Sequence, residues 1–261
     1  MRLRFWRKRP VPVLELHGLL AARPGALNIA TVGPLIERAM AAAGRGGVLL
    51  LDIQSPGGSP VQSDLIAARI RRRAAERGVR VVAVIGEVGA SGGYWLACAA
   101  DEIVANAMSV VGSIGVIGGG FGVPAVLARL GVERRLYTAG TNKARLDPFS
   151  AERPEDVAFV RELLDNLHAR FKDWVRSRRA GRLRGDENKL FDGGWMLGAR
   201  AAEVGLVDRL GDLDSVLREV GGAKARAYTV RPRRRGWLSR LPRMLAAELA
   251  AAIEEAGLPR L

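Results

Sequence analysis

A chain of 261 residues that is 48% hydrophobic can bury one good-sized core, or a core with a small appendage; with aromatics at only 5%, that core must be built from Ala, Val, Leu and Ile. The single cysteine, Cys98, excludes an internal disulfide and any multi-cysteine metal site, and within "WLACAA" it reads as a small buried hydrophobe. The formal charge of +14 is concentrated at the ends: Arg2, Arg4, Arg7, Lys8 and Arg9, with Arg226, Arg231, Arg233, Arg234, Arg235, Arg240 and Arg243, carry twelve of the fourteen charges, so the body is nearly neutral.

Residues 1–10 are a basic N-terminal tail. They lead into "VPVLELHGLL" (11–20), which Pro12, Glu15 and His17 disqualify as a secretory signal but which suits a first strand. "ALNIATVGPLIERAMAA" (26–42) has helical spacing, and "GGVLLLDI" (46–53) is a glycine-bounded apolar run of the kind buried parallel strands show. "SPGGSP" (55–60) is turn chemistry, and 61–77 returns to helical period with Leu65, Ile66 and Ile70 on one side. "VRVVAVIG" (79–86) is the next buried strand, followed by "GEVGASGGYW" (86–95).

From Ile103 to Ala128 the chain has no charge and is long enough to span a bilayer, but Pro124 and the glycines at 118–120 break it, so strand, loop and helix pieces are expected. "VERRLYTAG" (132–140) is another strand candidate. Residues 151–180 form a long amphipathic helix, with Val157, Val160, Leu164, Leu167, Phe171 and Val175 three or four apart. Residues 199–220 predict a short helix, a small strand "GLVD" and another helix. Residues 226–261 predict a basic C-terminal arm ending in the helix "RMLAAELAAAIEEAG", beyond a main domain at 11–225.

Strand, glycine-bearing turn and helix recur in order, which argues for an α/β layered fold with a mostly parallel sheet and flanking helices. Ligands of such sheets collect at the carboxyl ends of strands, where "SPGG" and "GASGG" both fall. In the tails, Trp6, Trp237 and Leu238 among the arginines favour a membrane interface over nucleic acid, with solvated ends as the plain alternative. The expected location is therefore cytoplasmic, peripheral at the inner membrane.

Ser91 is the candidate nucleophile, at a strand-to-helix junction beside Gly92 and Gly93, although a serine there can equally cap a helix. A histidine-based triad needs His17 or His168 beside it, and neither has local context that brings it to the strand ends; nor do the two have metal-ligand spacing. A lysine is the other base available, once burial disfavours its charged form. Of Lys8, Lys143, Lys172, Lys189 and Lys224, only Lys143 lies in a small-residue loop just past a predicted strand, and a loop lysine can also be an ordinary surface residue.

"SPGG" after a buried strand, then "GASGGYW", "GSIGVIGG" and "AGTNKARLDPF", in that order, resemble the signal peptide peptidase A and protease IV family of Ser-Lys peptidases, over roughly residues 11–225. The resemblance implies the ClpP/crotonase superfold, with no metal or cofactor. It implies Ser91 as nucleophile, Lys143 as general base and Ser113 as the hydroxyl that holds the lysine amine. It further implies an oxyanion hole from backbone N–H groups of Gly57 or Gly58 and of Gly92. The expected partners are peptide substrates, cleaved signal peptides or other apolar membrane-derived peptides, and copies of the same chain in a ring whose neighbours share each site. "GGYW" departs from the family's usual pair of tyrosines, which puts the pocket beside the nucleophile in question. Two other functions stay open at this point: a crotonase-like acyl-CoA enzyme with the same oxyanion hole, and a non-catalytic scaffold held to a membrane or nucleic acid by its tails.

Overall fold

The computed structural model describes residues 10–231. The basic tail at 1–9 and the arm beyond Arg231, with its expected terminal helix, lie outside the described residues. In chain order the elements are β1 (Val11–His17), α1 (Ile29–Ala43), β2 (Val48–Ser55), α2 (Pro60–Arg77), β3 (Arg80–Ala90), α3 (Gly92–Ala97), β4 (Glu102–Ala105) and β5 (Val110–Gly112). There follow α4 (Pro124–Arg129), α5 (Pro154–Arg178), α6 (Glu187–Leu190), β6 (Trp195–Leu197), α7 (Gly198–Glu203), β7 (Arg209–Leu210), α8 (Leu213–Gly221) and β8 (Ala227–Val230).

The strands form one sheet in the order β6-β5-β3-β2-β1-β8, with β4 on β3 and β7 on β4. All pairs are parallel except β5 with β6. This is the α/β architecture the sequence predicts. The sheet takes in 227–230, residues the sequence assigned to the C-terminal arm.

Alternation along β2 explains the two layers of core. Leu49, Leu51 and Ile53 point to the face covered by α1, α2 and α3, while Leu50 joins Val13, Val82, Val84, Val104 and Val216 on the face under α8. Helix ends carry their own punctuation. Asn28 caps α1 in a reciprocal bond with Thr31, and α2 starts with Pro60 at its first position and stops at the left-handed Gly78.

One irregularity positions the site. Ile53 pairs with Ile85, but Ser55 pairs with Gly89, so β3 carries two extra residues between these pairs. Such a bulge bends a strand and re-aims its end. Here it lets β3 exchange neighbours, pairing with β4 at Val82–Ile85 and with β5 at Val88–Ala90. The Ser109 hydroxyl donates to the carbonyls of Ile85 and Gly86, which satisfies backbone the bulge would leave unpaired.

Three sequence expectations change. The strand at 79–86 continues to Ala90, because its glycine-rich end pairs with β2 and β5 rather than turning. Residues 132–140 form no strand: they find no ladder partner among the described residues, and Leu136 and Tyr137 stay exposed. The small strand is Arg209–Leu210 rather than "GLVD", since Leu206 and Val207 go into the core and the Asp208 carboxylate accepts the Ile103 N–H at 2.7 Å.

Candidate active site

Ser91 follows the last residue of β3, and its backbone is held at φ 51°, ψ −122°. A non-glycine residue rarely adopts positive φ, and when it does the surrounding structure must enforce it. Enforcement is visible on both sides. The Ser91 N–H donates to the Gly112 carbonyl at 2.8 Å, and the Ser91 carbonyl accepts the Trp95 N–H at 2.9 Å. The hydroxyl makes no capping hydrogen bond to α3. Helix capping, the plain explanation for a serine here, is therefore not what this side chain does.

Close backbone approach explains the glycines. A Cβ on Gly57, at φ 103°, would come within 2.7 Å of both the Gly92 nitrogen and the Ser91 Cβ. On Gly92 it would meet the Ser63 Oγ at 2.5 Å, and on Gly93 the Ser55 carbonyl oxygen at 2.2 Å. The "SPGG" turn and the Ser91 turn thus pack backbone against backbone.

Ser91 opens on a cleft of about 570 Å³. Gly58 and Gly92 line it near the backbone, Ser113 lines it after β5, and Trp95, Leu167 and Phe171 supply apolar walls. Ser113 also has a positive φ, 52°, and its N–H donates to the Gly194 carbonyl at 2.6 Å. Gly57 lies behind the cleft wall with its N–H donating to the Ser55 Oγ at 3.2 Å. Leu20 bridges this turn through the Gly57 carbonyl and the Ser59 N–H, a bridge in which the Gly58 N–H takes no part.

Lys143 is elsewhere. It is exposed, in the 140–146 turn, and is not among the residues that line the cleft. The uncharged stretch at 103–128 gives it no dry cover either, being open beyond Ile114, with Ile117 at 97% and Phe121 at 90% exposure. Within one chain, then, Ser91, Ser113, Gly58 and Gly92 come together and Lys143 does not join them.

His168 is the residue that sequence reasoning passed over. It lines the Ser91 cleft from α5, with Nε2 donating to the Ile114 carbonyl at 2.9 Å. Helical spacing in 151–180 showed which face of α5 is apolar but not which cavity that face would cover. The other histidine, His17, pairs with Asp52 at 2.8 Å and is not part of this cleft. Asp192 also lines the cleft, with one carboxylate oxygen accepting the Gly194 N–H at 2.7 Å.

Trp95 is fixed as a wall. Its ring stacks on Trp174 with centroids 5.7 Å apart and tilts against Phe171 at 5.1 Å, while the Trp174 Nε1–H donates to the Trp95 carbonyl at 3.1 Å. Behind α3, Cys98 is fully buried and its thiol is pushed up to about 12 by burial, so it is inert packing. Among the described residues no group of His, Cys, Asp and Glu side chains could hold a metal ion.

Residues 73–225, which carry Ser91, Ser113 and Lys143, match the family model of peptidase family S49. The chain belongs to peptidase family S49. Its S49 relatives include "Probable protease SohB" of Buchnera aphidicola subsp. Acyrthosiphon pisum, 30% identical over 169 residues, which are 65% of this chain and 49% of that protein. "Probable protease SohB" of Haemophilus influenzae is 30% identical over 171 residues, 66% of this chain and 47% of that protein. A protein of Brucella melitensis named "Na(+)/H(+) antiporter NhaA" is 46% identical over 229 residues, 86% of this chain but only 31% of that protein. The chain thus spans about half the length of the SohB proteins and under a third of the Brucella protein. Among the described residues, no helix is long and apolar enough to cross a membrane.

Proposed function

We propose that the chain is a serine endopeptidase in which Ser91 is the nucleophile and Lys143, supplied by a neighbouring copy of the chain, is the general base. The observation that carries this is Ser91 itself: a strained, uncapped serine facing a cleft that it shares with Ser113 and two backbone-exposing glycines. Family S49 membership and the SohB relatives support a peptidase.

A neutral Lys143 amine takes the Ser91 hydroxyl proton as Oγ attacks the peptide carbonyl carbon. The N–H groups of Gly92 and Gly58 receive the oxyanion, each such donor worth about 3 kcal/mol. Gly58 is preferred to Gly57, whose N–H is already given to Ser55. The intermediate collapses, the amine leaves with the proton from Lys143, and an acyl-enzyme remains. Water then attacks the ester as Lys143 takes its proton, Lys143 returns that proton to the departing Ser91 Oγ, and the acid is released. Ser113 orients the lysine amine.

A lysine serves as a base only where burial disfavours its charge, and Lys143 is exposed in the single chain. The segment that bears it also exposes Ile117, Phe121, Leu130 and Tyr137, a patch that a second copy would cover. In a ring of copies this segment would carry Lys143 to the neighbour's Ser91. The apolar cleft walls favour extended apolar peptides, such as cleaved signal peptides or membrane fragments. The basic tails, and a Brucella relative named as an antiporter, support a place at the membrane periphery.

Ser91→Ala and Lys143→Ala should each abolish hydrolysis of an apolar peptide while leaving the assembly intact by light scattering. Wild-type activity in either variant would remove the assignment.

A further inference from the structure

His168 has no role in the chemistry proposed above, yet it faces the same cleft as Ser91 and Ser113. Its Nε2 lies 2.9 Å from the Ile114 carbonyl oxygen, which can only accept. The proton therefore sits on Nε2, and it stays there whether the ring is neutral or cationic. That nitrogen is committed to a carbonyl and is not a base toward serine.

Ile114 follows Ser113, so the bond lands on the turn that carries the second cleft hydroxyl. The turn is demanding. Ser113 has φ 52°, a left-handed conformation that is strained for a residue with a Cβ and persists only when neighbours over-determine it. Its restraints are the Ser113 N–H to Gly194, the Gly115 N–H to the Ser113 carbonyl at 2.9 Å, the fully buried Ile114 side chain, and the His168 imidazole. Only the last comes from α5.

The same helix holds the other serine. Phe171 and Trp174 lie three and six positions after His168, and they brace Trp95 one turn beyond Ser91. We propose that His168 is a positioning residue: together with Phe171 and Trp174 it makes α5 a single brace that keeps the Ser113 hydroxyl in register with Ser91. This rests on the Ser91–Lys143 assignment, in which Ser113 must present its hydroxyl to an amine arriving at the cleft.

The test uses the full chain, steady-state hydrolysis of an apolar peptide, a serine-reactive phosphonate probe, and three variants. His168→Phe keeps bulk without the donor, His168→Ala loses both, and His168→Gln restores an N–H near the position of Nε2. Phe and Ala should lower kcat about tenfold, the scale of one net hydrogen bond, with little change in KM. Gln should recover most of kcat, and the pH–rate profile should keep its shape in all three. Full kcat in His168→Phe overturns the proposal. So does a Gln variant as slow as Ala that has also lost one limb of the pH profile, since His168 would then be a base. If His168→Ala unfolds, the Phe and Gln pair decides alone. Failure of the underlying assignment looks different: wild-type protein would take no probe at Ser91, whatever the His168 variants do.

Discussion

The Ser91 N–H donates to the Gly112 carbonyl at 2.8 Å, which ties the residue ending the β3 turn to the residue just before Ser113. Two strained serines, one from each of two neighbouring parallel strands, are thus locked to one another through backbone. The bulge in β3 makes this possible, since without it the strand would not reach β5 after leaving β4.

The packing of the two turns predicts a steric test. In Gly92→Ala the new methyl would sit 2.5 Å from the Ser63 Oγ and 2.9 Å from the Leu20 Cδ1, displacing the start of α3 and the Gly92 N–H. Loss of one oxyanion donor lowers kcat by about 10²–10³. Adding Ser63→Gly removes the closer clash and should return part of the loss. A Gly92→Ala enzyme with wild-type kcat/KM would show that this N–H takes no part.

Trp95 should set side-chain preference near the scissile bond. Its indole packs between the cleft and the rings of Trp174 and Phe171. Trp95→Ala should move the preference toward bulkier apolar residues by about tenfold or more in kcat/KM, the scale on which apolar pockets discriminate. A peptide library profiled against both enzymes measures this, and an unchanged profile would place the subsite elsewhere.

Arg179 predicts a stability effect. Its side chain is 1% exposed, donating to the Gly205 carbonyl at 3.0 and 2.8 Å and to Asp208 at 2.8 and 3.0 Å. Arg179→Met takes the buried guanidinium from the partly buried Asp208 carboxylate, which keeps only the Ile103 N–H and the more exposed Arg182, and should cost about 3 kcal/mol, read as a lower Tm.

The same pair gives a pH dependence. Burial alone would raise the Asp208 carboxyl, but the Arg179 guanidinium and the Ile103 N–H outweigh it, so the folded value lies below the ordinary one. A depressed carboxylate contributes stability that is complete above its unfolded value, about 4, and is lost as pH falls through the lower folded value. In Arg179→Met the largest lowering influence is lost while the Ile103 N–H and Arg182 remain, so the depression shrinks and the acid-unfolding transition should move to higher pH. Identical acid midpoints would mean that Asp208 draws nothing from Arg179.

Much of this fold is legible in the sequence because burial writes itself into periodicity. β2 and the first half of β3 read as strands since both their faces are covered, and α2 and α5 read as helices from their spacing. The end of β3 was illegible because glycines at 86 and 89 look like a turn; Gly86 lies in the bulge and Gly89 belongs to the ladder, where a methyl would come within 2.8 Å of the Ile85 side chain. Ser91 was legible from its neighbours, but its strain and its missing cap bond are facts of the fold. His168 was hidden for another reason: its partner Ile114 is far away in the chain, and only tertiary packing brings α5 over β5. Lys143 stands between these cases. Its motif marks it, while a single chain leaves it in solvent.

If Ser91 and Lys143 of two copies form one site, active-site labelling will read the pairing out. A serine-reactive phosphonate followed by peptide mapping should place the label on Ser91 in wild type and nowhere in Lys143→Ala. Mixing Lys143→Ala with Ser91→Ala subunits should restore label to Ser91 at roughly a quarter of the sites, as random neighbours in a ring require. Label at another residue, or full labelling of Ser91 in unmixed Lys143→Ala, would rule out a Ser91–Lys143 pair.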